Sequence, residues 1–144
     1  MSRKFAREIV LKTVFQMNFA TEIEESDLEE SMIEKLIYDN TEMNEEEIFH
    51  ELSEEDVRYI KDIIIGVKQK KEILDEQINK HLVNWKIDRL NMLDAAMLRI
   101  ASYEILFLKK TPKAVIINEA LNLISRFGDS DSTKYINAVL DKLN

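Results

Sequence analysis

The sequence predicts an all-α protein, a helical bundle of about six or seven helices packed around one central apolar helix. Three observations carry this expectation. Apolar residues recur at three- and four-residue spacing through most of the chain, which is the period of a buried helix face. Only 2 Gly and 1 Pro occur in 144 residues, so turns are few and helices long. No stretch shows a sustained strand alternation; the run Ala114, Val115, Ile116, Ile117 stands behind Thr-Pro and ahead of Asn-Glu-Ala-Leu, which favours helix. A content of 45% apolar and 33% charged residues describes a folded globular chain, and its length suffices to bury a core.

Residues 3–19 form the first expected helix. Ala6, Val10, Thr13, Val14 and Met17 make one stripe, and Arg3, Lys4, Arg7, Leu11 and Phe15 fall on an adjoining face. That face is basic yet carries an aromatic ring. It reads in two ways. Phe15 and Leu11 could pack on a neighbouring helix while the cations snorkel. Alternatively the face binds nucleic acid, with cations for phosphates and a ring for an unpaired base.

Residues 20–52 are acidic. Leu28, Met32, Leu36 and Ile37 support a short helix ending near Asp39-Asn40-Thr41, and 44–52 is either a helical turn or a loop. The acidic run reads as a solvated face, because it lacks the spacing of a calcium loop. Ser53-Glu54-Glu55-Asp56 is a helix start, a capping hydroxyl followed by acids in the positive first turn. Val57, Ile60, Ile64, Val67, Ile73, Leu74, Ile78 and Leu82 then hold one face, as one long helix or as two with a bend near Lys70-Lys71. Residues 83–87 connect it to the next element.

The central helix is expected over 90–108, capped by Asp88. Leu90, Leu93, Met97, Ile100, Ala101 and Leu108 share one face, and Met92, Ala96, Leu98, Ile105, Leu106 and Phe107 fill much of the rest. A helix apolar on most of its circumference lies inside a bundle. Arg99 and Glu104 interrupt it, and buried charges require partners, so a structural ion pair is expected. Thr111-Pro112 closes this helix and opens the next, since Pro suits a first turn and not an interior. Val115, Ile116, Ala120, Leu123, Ile124 and Phe127 mark that next helix, stopped by Gly128. Asp129-Ser130-Asp131-Ser132 supplies caps for a last helix with a core of Ile136, Val139, Leu140 and Leu143 and with Lys134 and Tyr135 at its edge.

Several chemistries lack their residues. With 2 His far apart and no Cys, no thiolate or imidazole metal site is expected. Two Gly cannot build a phosphate-cradling loop, and there is no nucleophile elbow. The chain is therefore not expected to be an enzyme, and no catalytic residue, metal or cofactor is assigned. No apolar run is long enough to cross a bilayer, and the Met-Ser-Arg-Lys start lacks a signal-peptide core, so a cytoplasmic protein without membrane contact is expected. The net charge of −8 conceals an asymmetry. Residues 21–60 hold 16 of the 28 acidic side chains and 2 of the 20 basic ones, leaving 12 acidic and 18 basic groups elsewhere. A mildly basic remainder points toward nucleic acid or a charged protein partner.

An ordered series of motifs adds a resemblance. Leu98-Arg99-Ile100-Ala101 with Tyr103-Glu104, then Pro112-Lys113-Ala114-Val115-Ile116-Ile117-Asn118-Glu119-Ala120, then Arg126-Phe127-Gly128 and Lys134-Tyr135-Ile136-Asn137-Ala138-Val139-Leu140-Asp141-Lys142 resemble the NusB family of transcription antitermination factors. Ala6-Arg7-Glu8 followed by Phe15 also fits. The resemblance covers nearly the whole chain and is weakest in the acidic segment. It implies one all-helical RNA-binding domain over 1–144, in two subbundles at roughly 1–84 and 85–144. It implies a non-enzymatic adaptor that binds boxA-type single-stranded RNA together with NusE and joins the RNA polymerase elongation complex with other Nus factors, notably in ribosomal RNA operons. The implied RNA contacts are Arg3, Lys4, Arg7, Phe15, Asp131, Lys134 and Tyr135, and Asp94 is implied to face NusE. Homodimerisation, covering the same face, is the alternative use of these residues. The family's basic start is often a denser arginine run, interrupted here by Lys4 and Phe5; Phe15 lacks the hydroxyl of a frequent Tyr, and Ala138 replaces a common Gly.

Overall fold

Ser53 caps a helix start. Its Oγ accepts from the Asp56 N–H at 3.1 Å, and its own N–H donates to Asp56 Oδ2 at 3.4 Å, a capping box with Asp in the acidic position. The helix that follows runs unbroken over Glu54–Asn79, so the single-helix alternative holds. This computed structural model describes residues 2–17 and 52–144. The short helix expected near 28–37 and the 39–52 stretch lie outside the described residues, save Leu52, which is buried.

The described α-helices are α1 (Ser2–Met17), α2 (Glu54–Asn79), α3 (Met92–Tyr103), α4 (Lys113–Phe127) and α5 (Thr133–Lys142). No strand occurs among the described residues, and the all-α expectation stands. The chain divides into two compact units, 1–69 and 70–144, and α2 runs across the division. The two subbundles implied by the family resemblance divide later, near residue 84, at the connection after that helix.

In the first unit α1 buries Ala6, Ile9, Val10, Leu11, Thr13 and Val14. Leu11 is thus core and not part of the basic face on which the pattern places it. The first part of α2 buries Tyr59, Ile60, Ile63, Ile64 and Val67.

In the second unit a turn with Asn84 at φ 71° leads into a short 3-10 turn, Ile87–Arg89. Asn79 Oδ1 accepts the Ile87 N–H at 2.8 Å and closes this connection. Asn91, and not Asp88, caps the central helix: its Oδ1 accepts the Asp94 N–H at 2.8 Å. The backbone turns helical only after Leu90, and Asp88 is taken up in the 3-10 turn. Every residue of α3 from Asp94 to Ser102 is buried. A π-helical turn, Glu104–Leu108, extends it, with the Lys109 N–H donating to the Glu104 carbonyl at 2.9 Å. Lys109, at φ 53°, stops it.

Helix α3 packs on α4 and α5, and α4 and α5 pack on each other. Pro112 precedes α4 at the N-cap. Lys113 then ties two helices together: its Nζ donates to the carbonyls of Asp141 and, at 2.6 Å, Leu143, at the electronegative end of α5. The expected α5 core, Ile136, Val139, Leu140 and Leu143, is buried throughout. Five apolar positions expected inside lie at the surface instead, Ile73, Met92, Phe107, Val115 and Phe127. They sit at the margins of stripes wider than the faces that their neighbours cover. Gly128 is needed for space and not for backbone freedom: a Cβ there would stand 3.0 Å from Leu93 Cδ2 and 3.3 Å from the Ile124 carbonyl.

Arg99 finds its partner. Its Nε and Nη2 donate to the two Asp75 carboxylate oxygens at 2.7 and 3.1 Å, joining α3 to the last turns of α2. Among the described residues no helix is long and apolar enough to cross a membrane.

Candidate nucleic-acid interface

Arg3 and Arg7 are four residues apart on α1, so their side chains lie one turn apart on the same side of the helix. Both guanidiniums gather at one aromatic ring. The Arg3 guanidinium carbon lies 4.2 Å from the centroid of Tyr59, and that of Arg7 lies 5.7 Å from it. Tyr59 is 5% exposed and comes from the second turn of α2. Arg3 Nε also donates to Asp56 Oδ1 at 2.9 Å, while its Nη2 is 3.9 Å from Glu55 Oε1. The Asp56 carboxylate is buried, and its other oxygen accepts the Ser53 hydroxyl at 2.9 Å. The Arg7 Nε is buried without a hydrogen-bond partner. Lys4 is exposed and Phe15 half-buried. The first unit therefore brings Arg3 and Arg7 together on one platform, beside an exposed Lys4.

The second unit assembles a different cluster. Asp129 accepts the Asp131 N–H at 2.9 Å and caps the 3-10 turn Ser130–Ser132 that leads into α5. Asp131 and Lys134 are exposed on this approach, and Tyr135 is half-buried one residue further on. The Tyr135 hydroxyl donates to Asp94 Oδ2. So do the Ser132 hydroxyl at 2.6 Å and the Asn91 amide at 2.8 Å. Burial first, and then the Asp94 hydrogen bond, push the Tyr135 hydroxyl well above its ordinary range, so it remains a donor at neutral pH.

Asp94, implied to face a partner, is 1% exposed. Its carboxylate is turned inward and holds the start of α5 against α3. A groove of about 530 Å³ opens over it, lined among others by Trp85, Arg89, Asn91, Asp94, Tyr135 and Lys142. Trp85 is 62% exposed at its rim. Asp131 and Lys134 thus face solvent, whereas the half-buried Tyr135 is joined by its hydroxyl to the buried Asp94. The first-unit and second-unit clusters are each defined within their own unit.

Sequence reasoning missed Asp56, Tyr59, Asn91 and Ser132 as parts of these clusters. The three-residue spacing of Asn91 and Asp94, a cap followed by an acid, is a signal that could have found one of them. Nothing in the sequence announces Tyr59 as a platform for α1. Among the described residues no group of three or more His, Cys, Asp and Glu side chains is placed to hold a metal ion.

Fold and face together define the class: an all-helical protein whose first helix carries two arginines gathered at a buried aromatic ring. The sequence matches the NusB family over residues 4–144. It is 39% identical to the transcription antitermination protein NusB of Clostridium tetani (strain Massachusetts / E88), over 99% of this chain and 97% of that one. Among solved structures, T. maritima NusB has 29% identity and a TM-score of 0.76, over 97% of this chain and 88% of that one. A structure of the antitermination factors NusB and NusE in complex with dsRNA shares the fold at a TM-score of 0.76 and 21% identity, over 97% of this chain and 93% of that one. The chain belongs to the NusB family.

Proposed function

We propose that this protein is a transcription antitermination adaptor of the cytoplasm. It binds boxA-type single-stranded RNA together with NusE and acts, with other Nus factors, on elongating RNA polymerase, notably in ribosomal RNA operons. Family membership supports this role, as does a structural neighbour in which NusB is held with NusE and RNA. The adaptor makes and breaks no covalent bond; its work is to place an RNA and a protein side by side.

The observation that carries the RNA reading is the concentration of Arg3, Lys4 and Arg7 in the first two turns of α1. These cations neutralise phosphates and release counterions, which makes the affinity salt-sensitive. Phe15 offers a ring to a splayed base, and Tyr135 offers the exposed part of its ring while its hydroxyl stays engaged with Asp94. Lys134 adds a cation beside Tyr135, and Asp131 borders the same edge. Asp94 serves NusE indirectly, by fixing the α3–α5 corner below the groove. The test is fluorescence anisotropy with a boxA-type RNA and a scrambled control, with and without NusE. Preference for boxA that tightens with NusE is expected. Equal binding of both RNAs in the presence of NusE would overturn the reading.

A further inference from the structure

We propose that Tyr59 and Asp56 are positioning residues of the RNA site, holding the Arg3 and Arg7 guanidiniums in a binding-ready arrangement before RNA arrives. The inference rests on the RNA reading of the α1 face and extends it to two residues on a different helix.

Arginine side chains are long, and free ones sample many rotamers that binding must freeze. Here the Arg3 guanidinium carbon lies 4.2 Å from the Tyr59 centroid, and that of Arg7 5.7 Å from the same point. A cation held by the π-face spends none of its N–H groups on that contact. Arg3 uses Nε for Asp56 Oδ1 at 2.9 Å, which leaves its terminal nitrogens for phosphate oxygens, with Nη2 only in loose contact with the exposed Glu55 carboxylate at 3.9 Å. Two guanidiniums drawn to one ring repel each other. The Asp56 carboxylate, fixed from its other side by the Ser53 hydroxyl at 2.9 Å, offsets that repulsion.

A purely structural purpose explains this arrangement poorly. Asp56 is buried while 34% of the Arg3 side chain stays exposed, so the pair fixes the guanidinium and still leaves it open to a ligand. The α2 capping box is complete through Ser53 and Asp56 without Arg3. Tyr59 is 5% exposed, so it acts on RNA only through the cations stacked on it.

The test uses the full-length protein with NusE and a boxA-type RNA, titrated at several salt concentrations. Thermal melting confirms that each variant is folded. Tyr59→Leu removes the π-face and is expected to weaken binding about tenfold, the cost of freezing two freed side chains. Its slope of log affinity against log salt stays that of wild type, because the number of cations is unchanged. Tyr59→Phe keeps the ring and restores wild-type affinity. A folded Tyr59→Leu protein with wild-type affinity, or a Tyr59→Phe protein as weak as Tyr59→Leu, would overturn the positioning role and leave the RNA reading intact. Absence of binding by the wild-type protein would overturn both. Should Tyr59→Leu fail to fold, NMR of the free wild-type protein decides. The Arg3 and Arg7 side-chain Nε–H signals must be shifted by the Tyr59 ring current; averaged, unshifted signals would refute a preformed arrangement.

Discussion

The Tyr135 hydroxyl donates to the carboxylate of Asp94 and so joins the first turn of α5 to the first turn of α3. The Ser132 hydroxyl and the Asn91 amide converge on the same oxygen. A buried carboxylate is tolerable there because donors surround Oδ2 and the positive end of α3 lies beneath it. The corner carrying the exposed Asp131 and Lys134 is built on this acceptor.

Removing the acceptor should therefore cost more than removing any one donor. Asp94→Ala leaves the Ser132 and Tyr135 hydroxyls without their acceptor in a low-dielectric site, and is expected to lower stability by about 2–4 kcal/mol. Asp94→Asn keeps an acceptor oxygen and should cost less. Urea unfolding measures both, and a shift below about 0.5 kcal/mol for Asp94→Ala would contradict the network.

The same contact predicts an alkaline limit. Tyr135 titrates higher in the folded protein than in the unfolded chain, where a tyrosine loses its proton near about 10. The stability it contributes is present in full below that value and is lost as pH rises from there toward the folded value. Ultraviolet titration should show a tyrosine ionising late, and Tyr135→Phe should abolish that late step. An unchanged titration curve in the variant would assign the late step elsewhere.

A third expectation concerns Arg99 and Asp75. Arg99 is 8% exposed and bound to Asp75 through two hydrogen bonds. Arg99→Ala strands a half-covered carboxylate and opens a cavity, and should cost about 3 kcal/mol. The double variant Arg99→Met, Asp75→Leu replaces the pair with apolar volume and should lie within about 1 kcal/mol of wild type. Thermal or urea unfolding of the single and double variants separates the two costs.

Much of this architecture is legible in the sequence where one residue type has one physical use. Pro112 opens α4, Ser53 opens α2, and the four apolar positions of α5 are all buried. The α1 face is legible only in part: Lys4 is exposed as its pattern suggests, but Leu11, assigned to the same face, is buried. What stays hidden depends on geometry between distant residues. Asp56 looks like a first-turn acid, yet its Oδ1 binds Arg3, 53 residues away. Asp88 and Asn91 are both good caps, and only the 3-10 turn at Ile87–Arg89 decides between them. The π-turn at Glu104–Leu108 leaves no periodic trace distinct from the helix before it. Asp94 is recognisable as a carboxylate on the central helix, but its inward direction follows from Ser132 and Tyr135, which fold onto it from α5 and its approach.

The central claim is that the first two turns of α1 neutralise RNA phosphates. The most direct measurement is the salt dependence of boxA RNA binding in the presence of NusE, for wild type and for the triple variant Arg3→Ala, Lys4→Ala, Arg7→Ala. Three lost phosphate contacts should reduce the slope of log affinity against log salt by about two and weaken binding at low salt, with the variant still folded. A folded triple variant with the wild-type slope and affinity would place the RNA elsewhere and contradict the account.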